Sequence, residues 1–131
     1  MLFKIGFLKD VDLTGKWEAT FSCGGKEYTE LIELKTKLGS VTGYIIDGDK
    51  NYEAIRKVAK ESPIRLKGTI NDNRYFTGFW YHPVETSRFH GAFQLLISHD
   101  SNYITGQWIG FSQSTVTIEN GNWTFSKIIE D

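Results

Sequence analysis

The run Trp80-Tyr-His-Pro-Val-Glu-Thr-Ser-Arg-Phe-His90 concentrates rings and basic groups around one proline turn. Aromatic faces stack on planar ligands such as bases, and a guanidinium grips phosphate through two parallel N–H donors. Trp80, Tyr81, His82, Arg88 and His90 are therefore the candidate ligand-binding residues. Trp108 joins them, because Ile104-Thr-Gly-Gln-Trp-Ile-Gly-Phe111 ends near the same region. The competing reading is that Trp80 packs in a core and the polar residues solvate a turn. Covalent and phosphate-transfer motifs are missing: the chain has no G-x-S-x-G elbow, no P-loop, no dinucleotide fingerprint and no H-E-x-x-H. No catalytic residues are expected, and the chain is expected not to be an enzyme.

The lone Cys23 falls on the apolar side of its segment and reads as a buried small hydrophobe. Of the three histidines, His82 and His99 fall on the expected inner faces and His90 on the other, with no ligand-like spacing. Neither a metal site nor a cofactor is expected. Glu30 and Lys127 interrupt otherwise apolar faces. Burying either alone is costly, so they imply a wet cavity, mutual pairing or a bulge that shifts the register.

What positions these groups is a series of strands. Over Leu13 to Cys23 the odd positions are Leu, Gly, Trp, Ala, Phe and Cys, while the even ones are Thr, Lys, Glu, Thr and Ser. Such alternation puts one face in a core and the other in water. Further strands are expected over 27–38, where Leu38 shares the inner face of Tyr28, Ile32 and Leu34, and over 41–47, 64–70, 75–82, 89–98 and 103–111. A last pair, 115–119 and 122–128, brackets Asn120-Gly121, a strong hairpin signal. The segment 49–61 differs: Tyr52, Ile55 and Ala59 at helical spacing predict one short helix covering an end.

Gly recurs between two apolar residues in Leu13-Thr-Gly-Lys-Trp17, Val41-Thr-Gly-Tyr-Ile45, Leu66-Lys-Gly-Thr-Ile70, Phe76-Thr-Gly-Phe-Trp80, Phe89-His-Gly-Ala-Phe93 and Ile104-Thr-Gly-Gln-Trp108. Glycine on an inner face lets a strand coil and makes room for a neighbouring ring. A sheet coiled at nearly every strand tends to close on itself. The expected fold is all-β: a single antiparallel up-and-down β-barrel of eight or nine strands over residues 13–129, after an N-terminal lead over 1–12.

Length and charge narrow the partners. A chain of 131 residues has room for one core. Its net charge of −1 gives no basic stripe for a nucleic-acid duplex. One cysteine excludes an internal disulfide framework, and no apolar stretch approaches a membrane span of about 20 residues. A cytoplasmic location and a small-molecule ligand are the expectations.

Two families share patches of this pattern. Leu13-Thr-Gly-Lys-Trp17 and Val41-Thr-Gly-Tyr44 resemble the strand openings of avidins and, more loosely, the Gly-x-Trp of lipocalins. That resemblance implies an up-and-down barrel but not biotin binding, since Glu18-Ala-Thr-Phe21 replaces the polar residues avidins place after the first Trp. Asp12-Leu-Thr-Gly-Lys-Trp17, His90-Gly-Ala-Phe-Gln-Leu-Leu-Ile97 and Ile104-Thr-Gly-Gln-Trp108 resemble the β-barrel sensor domain of the SMODS-associated two-transmembrane effectors in bacterial cyclic-oligonucleotide (CBASS-type) antiphage defence. This second resemblance implies a cyclic nucleotide bound by the barrel, a membrane segment attached outside this sequence, and homo-oligomerisation as the output. The alternatives left open are a lipocalin-like carrier of an apolar molecule and a filled barrel acting as an interaction module, with Phe79, Tyr81 and Phe111 on its outer faces.

Overall fold

The computed structural model describes residues 10–52, 63–84, 90–112 and 116–129. Among them, eight strands run in chain order: β1 (Gly15–Cys23), β2 (Lys26–Lys37), β3 (Ser40–Asp47), β4 (Arg65–Asn71), β5 (Tyr75–Tyr81), β6 (His90–Ile97), β7 (Tyr103–Ser112) and β8 (Thr117–Lys127). Each pairs antiparallel with its sequence neighbours, and β8 returns to β1, closing an up-and-down barrel. The alternation predicted for residues 13–23 holds: Trp17, Ala19 and Phe21 are buried while Lys16, Glu18 and Thr20 face outward. The helix expected over 49–61 falls mostly outside the described residues; its first positions, Lys50 and Asn51, form a turn.

Two expectations, one from alternation and one from turn chemistry, are corrected. Leu38 does not line the interior. It sits in the β2–β3 turn with Gly39 at φ of 51° and 81°, its side chain 96% exposed. The tightness of the turn overrides the apolar side chain. Nor does Asn120-Gly121 make a hairpin. Both lie mid-strand in β8, opposite Ile109 and Trp108 of β7, so eight strands close the ring and not nine. Gly121 serves a different need: a Cβ there would come 2.7 Å from the Trp108 indole nitrogen and 2.1 Å from the Ser22 carbonyl oxygen. The glycine admits a ring that reaches past it, as the recurring Gly pattern predicted for inner faces.

Alternating strand directions give the barrel two unlike ends. The lower one carries the tight turns at 38–39, 72–74 and 98–102, and the segment 10–14 straps across it. Trp17 Nε1 donates to the Leu13 carbonyl (2.9 Å), the Leu13 amide to Thr36 Oγ1 (3.0 Å), the Thr36 amide to Thr14 Oγ1 (3.0 Å) and the Val11 amide to Asn73 Oδ1 (3.2 Å). Leu13 and Trp17 are fully buried beneath the strap. Above them the core is packed ring on ring: Phe76 against Phe93 at 4.8 Å, Phe93 against Trp123 at 5.5 Å, Trp123 against Phe125 at 5.0 Å. Edge-to-face and tilted contacts of this kind add about 0.5–1.5 kcal/mol each beyond area burial. The upper end carries the Gly24-Gly25 turn and the connections after β3, β5 and β7.

Candidate functional site

Strand pleating divides the residues singled out between Trp80 and His90. Successive side chains point to opposite faces, so Trp80 faces inward from β5 and Tyr81 outward. Tyr81 is the register partner of His90 on β6, which places both on the outer wall. His90 is exposed and stacks on Phe79 at 5.9 Å between centroids. His82, just beyond β5, is fully buried, and its Nδ1 accepts a hydrogen bond from the Val84 amide at 3.2 Å. Arg88 lies outside the described residues. His99, expected on an inner face, is instead exposed in the β6–β7 turn. Among the described residues no three His, Cys, Asp or Glu side chains are grouped to hold a metal.

Trp80 and Trp108 meet on the inner wall. Their rings stand edge to face at 6.1 Å and 78°. Trp80 lies over two glycines: a Cβ at Gly91 or at Gly110 would come 2.3 Å from its ring. Trp108 is buried, and its Nε1 donates to the Ser22 carbonyl at 3.0 Å. Among the described residues neither Trp80 Nε1 nor Trp123 Nε1, the latter opposite Phe21 of β1, has a hydrogen-bond partner, though both are buried.

Among the described residues a third buried atom without a partner is Glu30 Oε2. Glu30 projects inward from β2 opposite the small Ala19 of β1 and is 4% exposed. A bulge does fall beside it: Leu31 pairs with Asp47 and Ile32 with Ile45, leaving Ile46 of β3 without an opposite number. The extra residue sits on β3, so Glu30 keeps its inward face. It does not pair with Lys127, whose ammonium lies over the Trp17 ring at the lower end, 5.7 Å from its centroid. Burial first, and then the Asp49 carboxylate, push the Glu30 carboxyl up to about 8.

Above Glu30 stands an aromatic trio. Phe21 stacks on Tyr28 at 5.3 Å, Phe21 meets Tyr52 at 5.4 Å, and Tyr28 meets Tyr52 edge-on at 4.7 Å. Tyr52 is brought there by Asp49, whose two carboxylate oxygens accept the Thr29 and Asn51 amides, both at 2.8 Å, and whose carbonyl accepts the Tyr52 amide at 3.0 Å. Those bonds clamp the connection after β3 onto β2 and hold the Asp49 carboxyl below its ordinary value. Burial pushes the Tyr52 hydroxyl well above its own. Cys23, expected to be buried, is only half-buried, its Sγ 3.9 Å from Glu119 Oε2, and burial raises its thiol.

The interior of the upper half thus offers indole N–H donors, a carboxyl, and rings able to stack a flat ligand. Its break in the apolar alternation marked Glu30. Nothing local marked Tyr28 and Tyr52, which come together through the Asp49 clamp. A separate groove of about 440 Å³ opens on the outer wall along Glu33, Lys35, Thr42, Tyr44 and Arg65, above the buried Leu34. There the Tyr44 hydroxyl donates to Glu33 Oε2 at 3.2 Å.

No family model matches the chain, and no curated protein matches it. Among solved structures it is similar to a redesigned β-barrel, with a TM-score of 0.59 at 12% identity over 89% of this chain and 92% of that one. At such identity the likeness concerns the fold, and it agrees with the closed all-β barrel described above.

Proposed function

We propose that this chain is a ligand-binding β-barrel that takes a small molecule into its upper interior. The observation that carries the reading is Glu30: a carboxyl 4% exposed, with one oxygen unpartnered beneath stacking rings. Leaving a buried polar atom unsatisfied costs about 1–3 kcal/mol. Unsatisfied groups in native proteins mark strain, function or an unseen partner. The unpartnered indole nitrogens of Trp80 and Trp123 add two donors on the same inner surface.

The finer reading is a cyclic-oligonucleotide sensor of a bacterial antiphage effector. Its support is the resemblance of Asp12-Leu-Thr-Gly-Lys-Trp17 and His90-Gly-Ala-Phe93 to that family, together with rings suited to stacking a base. In this reading a base enters beside Trp80 and the Phe21–Tyr28–Tyr52 trio. Its phosphates stay at the rim, the task assigned to Arg88 and His90. Trp108 braces Trp80. The chain acts in the cytoplasm by binding and not by catalysis, and it signals through oligomerisation of an attached membrane segment.

A thermal-shift screen of cyclic di- and trinucleotides, with biotin and fatty acids as contrasts, tests this. A ligand at a hundred times its dissociation constant stabilises a fold by about 2.7 kcal/mol, which moves the midpoint by several degrees. A selective shift with a cyclic nucleotide is the expected result. A shift with fatty acids alone would replace the sensor by a carrier.

A second reading, an interaction module, draws on the outer wall. Phe79, Ile109 and Ile118 are 53%, 46% and 61% exposed on β5, β7 and β8. A strictly monomeric protein at high concentration, with and without nucleotide, would remove it.

A further inference from the structure

Among the described residues, Glu30 faces acids and neutral groups. β1 contributes the Cys23 thiol beyond Ala19, β2 itself the Tyr28 hydroxyl, β8 the Glu119 carboxyl behind Cys23, and the connection after β3 both Asp49 and Tyr52. The charge acting on Glu30 among the described residues is that of Asp49, also negative, while Lys50 in the same connection is exposed. A buried carboxylate without a cation is costly, and the group keeps its proton instead. A carboxylic acid presents one donor and one acceptor side by side, whereas a carboxylate presents acceptors only. The neutral acid therefore has the hydrogen-bonding pattern of a Gln side chain, which pairs with the adjacent amino group and ring nitrogen of adenine. Guanine offers two acceptors on the corresponding edge, and its two-donor edge suits a carboxylate.

We infer that Glu30 receives a ligand's ring as the neutral acid, giving a hydrogen bond to a ring nitrogen and taking one from the neighbouring amino group. The site then selects an adenine-type edge over guanine and releases it when the acid ionises. The inference rests on the upper interior being the ligand site proposed above. The Phe21, Tyr28 and Tyr52 rings supply the stacking surface, and the Asp49 clamp holds Tyr52 over the carboxyl.

Isothermal titration of the full chain with adenosine and with guanosine, from pH 6 to 9, tests it in the native protein and in Glu30→Gln. Native affinity for adenosine should fall about tenfold per pH unit once Glu30 ionises, because only the protonated form binds. In Glu30→Gln, which keeps the donor–acceptor pair and cannot ionise, adenosine affinity should be flat over the same range. Guanosine should bind both at least about tenfold more weakly, a difference of about 1.4 kcal/mol. Equal pH dependence in both proteins, or a preference for guanosine, overturns the inference while leaving the ligand-binding barrel intact. Failure of every nucleoside and cyclic nucleotide to bind the folded native chain overturns the nucleotide reading, and this inference with it. A carboxyl-carbon NMR titration of the native protein covers the case in which the variant does not fold. One glutamate should titrate near 8 and move higher with adenosine bound. A midpoint unchanged or lowered by adenosine overturns the proposal.

Discussion

The two ends of this barrel are built from the same strands and finished by opposite means. At the lower end the Trp17 indole reaches a carbonyl, the Leu13 and Val11 amides of the strap donate to the Thr36 and Asn73 side chains, and rings fill the space above. At the upper end the same kinds of group are left over: the Trp80 indole has no partner, and neither does one oxygen of Glu30. Buried polar groups are ordinarily paired, and the lower end shows that this chain can pair them. The difference therefore separates a half that stabilises the fold from a half that meets something else. Variants at the lower end should cost stability and spare binding, whereas variants at the upper end should change binding.

The largest effect is expected at Trp17, fully buried and bonded to the strap. Trp17→Ala should lose about 3–5 kcal/mol of unfolding free energy in urea, enough to threaten a domain of this size. The next effect is a pH dependence of stability set by Glu30. Its carboxyl titrates from a starting value of 4.5 to about 8 in the folded chain, so the native state holds a proton that the unfolded state releases. The stability this contributes is complete below about 4.5 and lost as pH rises through about 8. At about 1.4 kcal/mol per unit the swing is on the order of a few kcal/mol. Glu30→Gln should flatten that slope in thermal melts. A slope that survives the substitution would mean another group carries it.

Smaller still is Gly110→Ala, where the new methyl would sit 2.3 Å from the Trp80 ring and 3.3 Å from the His90 carbonyl. Overpacking costs about 1–3 kcal/mol, and the displaced indole should change tryptophan emission and ligand affinity together. A spectrum and an affinity identical to native would uncouple Trp80 from the site. His90→Ala should change stability by less than about 0.5 kcal/mol, since the ring is exposed against Phe79. A large loss there would show the outer wall to be structural, contrary to the contrast between the ends.

The barrel itself could be read from alternation in β1 and from glycines spaced between apolar neighbours, because a coiled sheet must close. Where the reading failed, a residue met two demands at once. Gly121 looked like a turn beside Asn120 but makes way for Trp108, a need visible only once β7 and β8 pair. Leu38 looked like core but lies where the backbone must reverse. The site was half readable. Pleating alone separates Trp80 and His82 from Tyr81 and His90, so a cluster defined by adjacency along the chain had to divide between the two faces. Glu30 announced itself by interrupting an apolar face, yet its meeting with Tyr52 depends on the Asp49 clamp, which no periodicity encodes.

The seam between β1 and β8 bears on how the chain assembles. Along it Ser22 accepts the Asn122 amide through its hydroxyl, 100 residues away in sequence, and the Trp108 indole through its carbonyl. Every other pairing in the ring joins strands adjacent in the chain, so seven hairpins can form locally before the ends meet. The last step must bring together the most distant segments, and loop-closure entropy delays it. Until then β1 and β8 each present a bare edge to any neighbouring molecule. The finished ring has no such edge. The hazard of aggregation is thus confined to the interval before closure, and a chain cut short of β8 would live in that interval permanently.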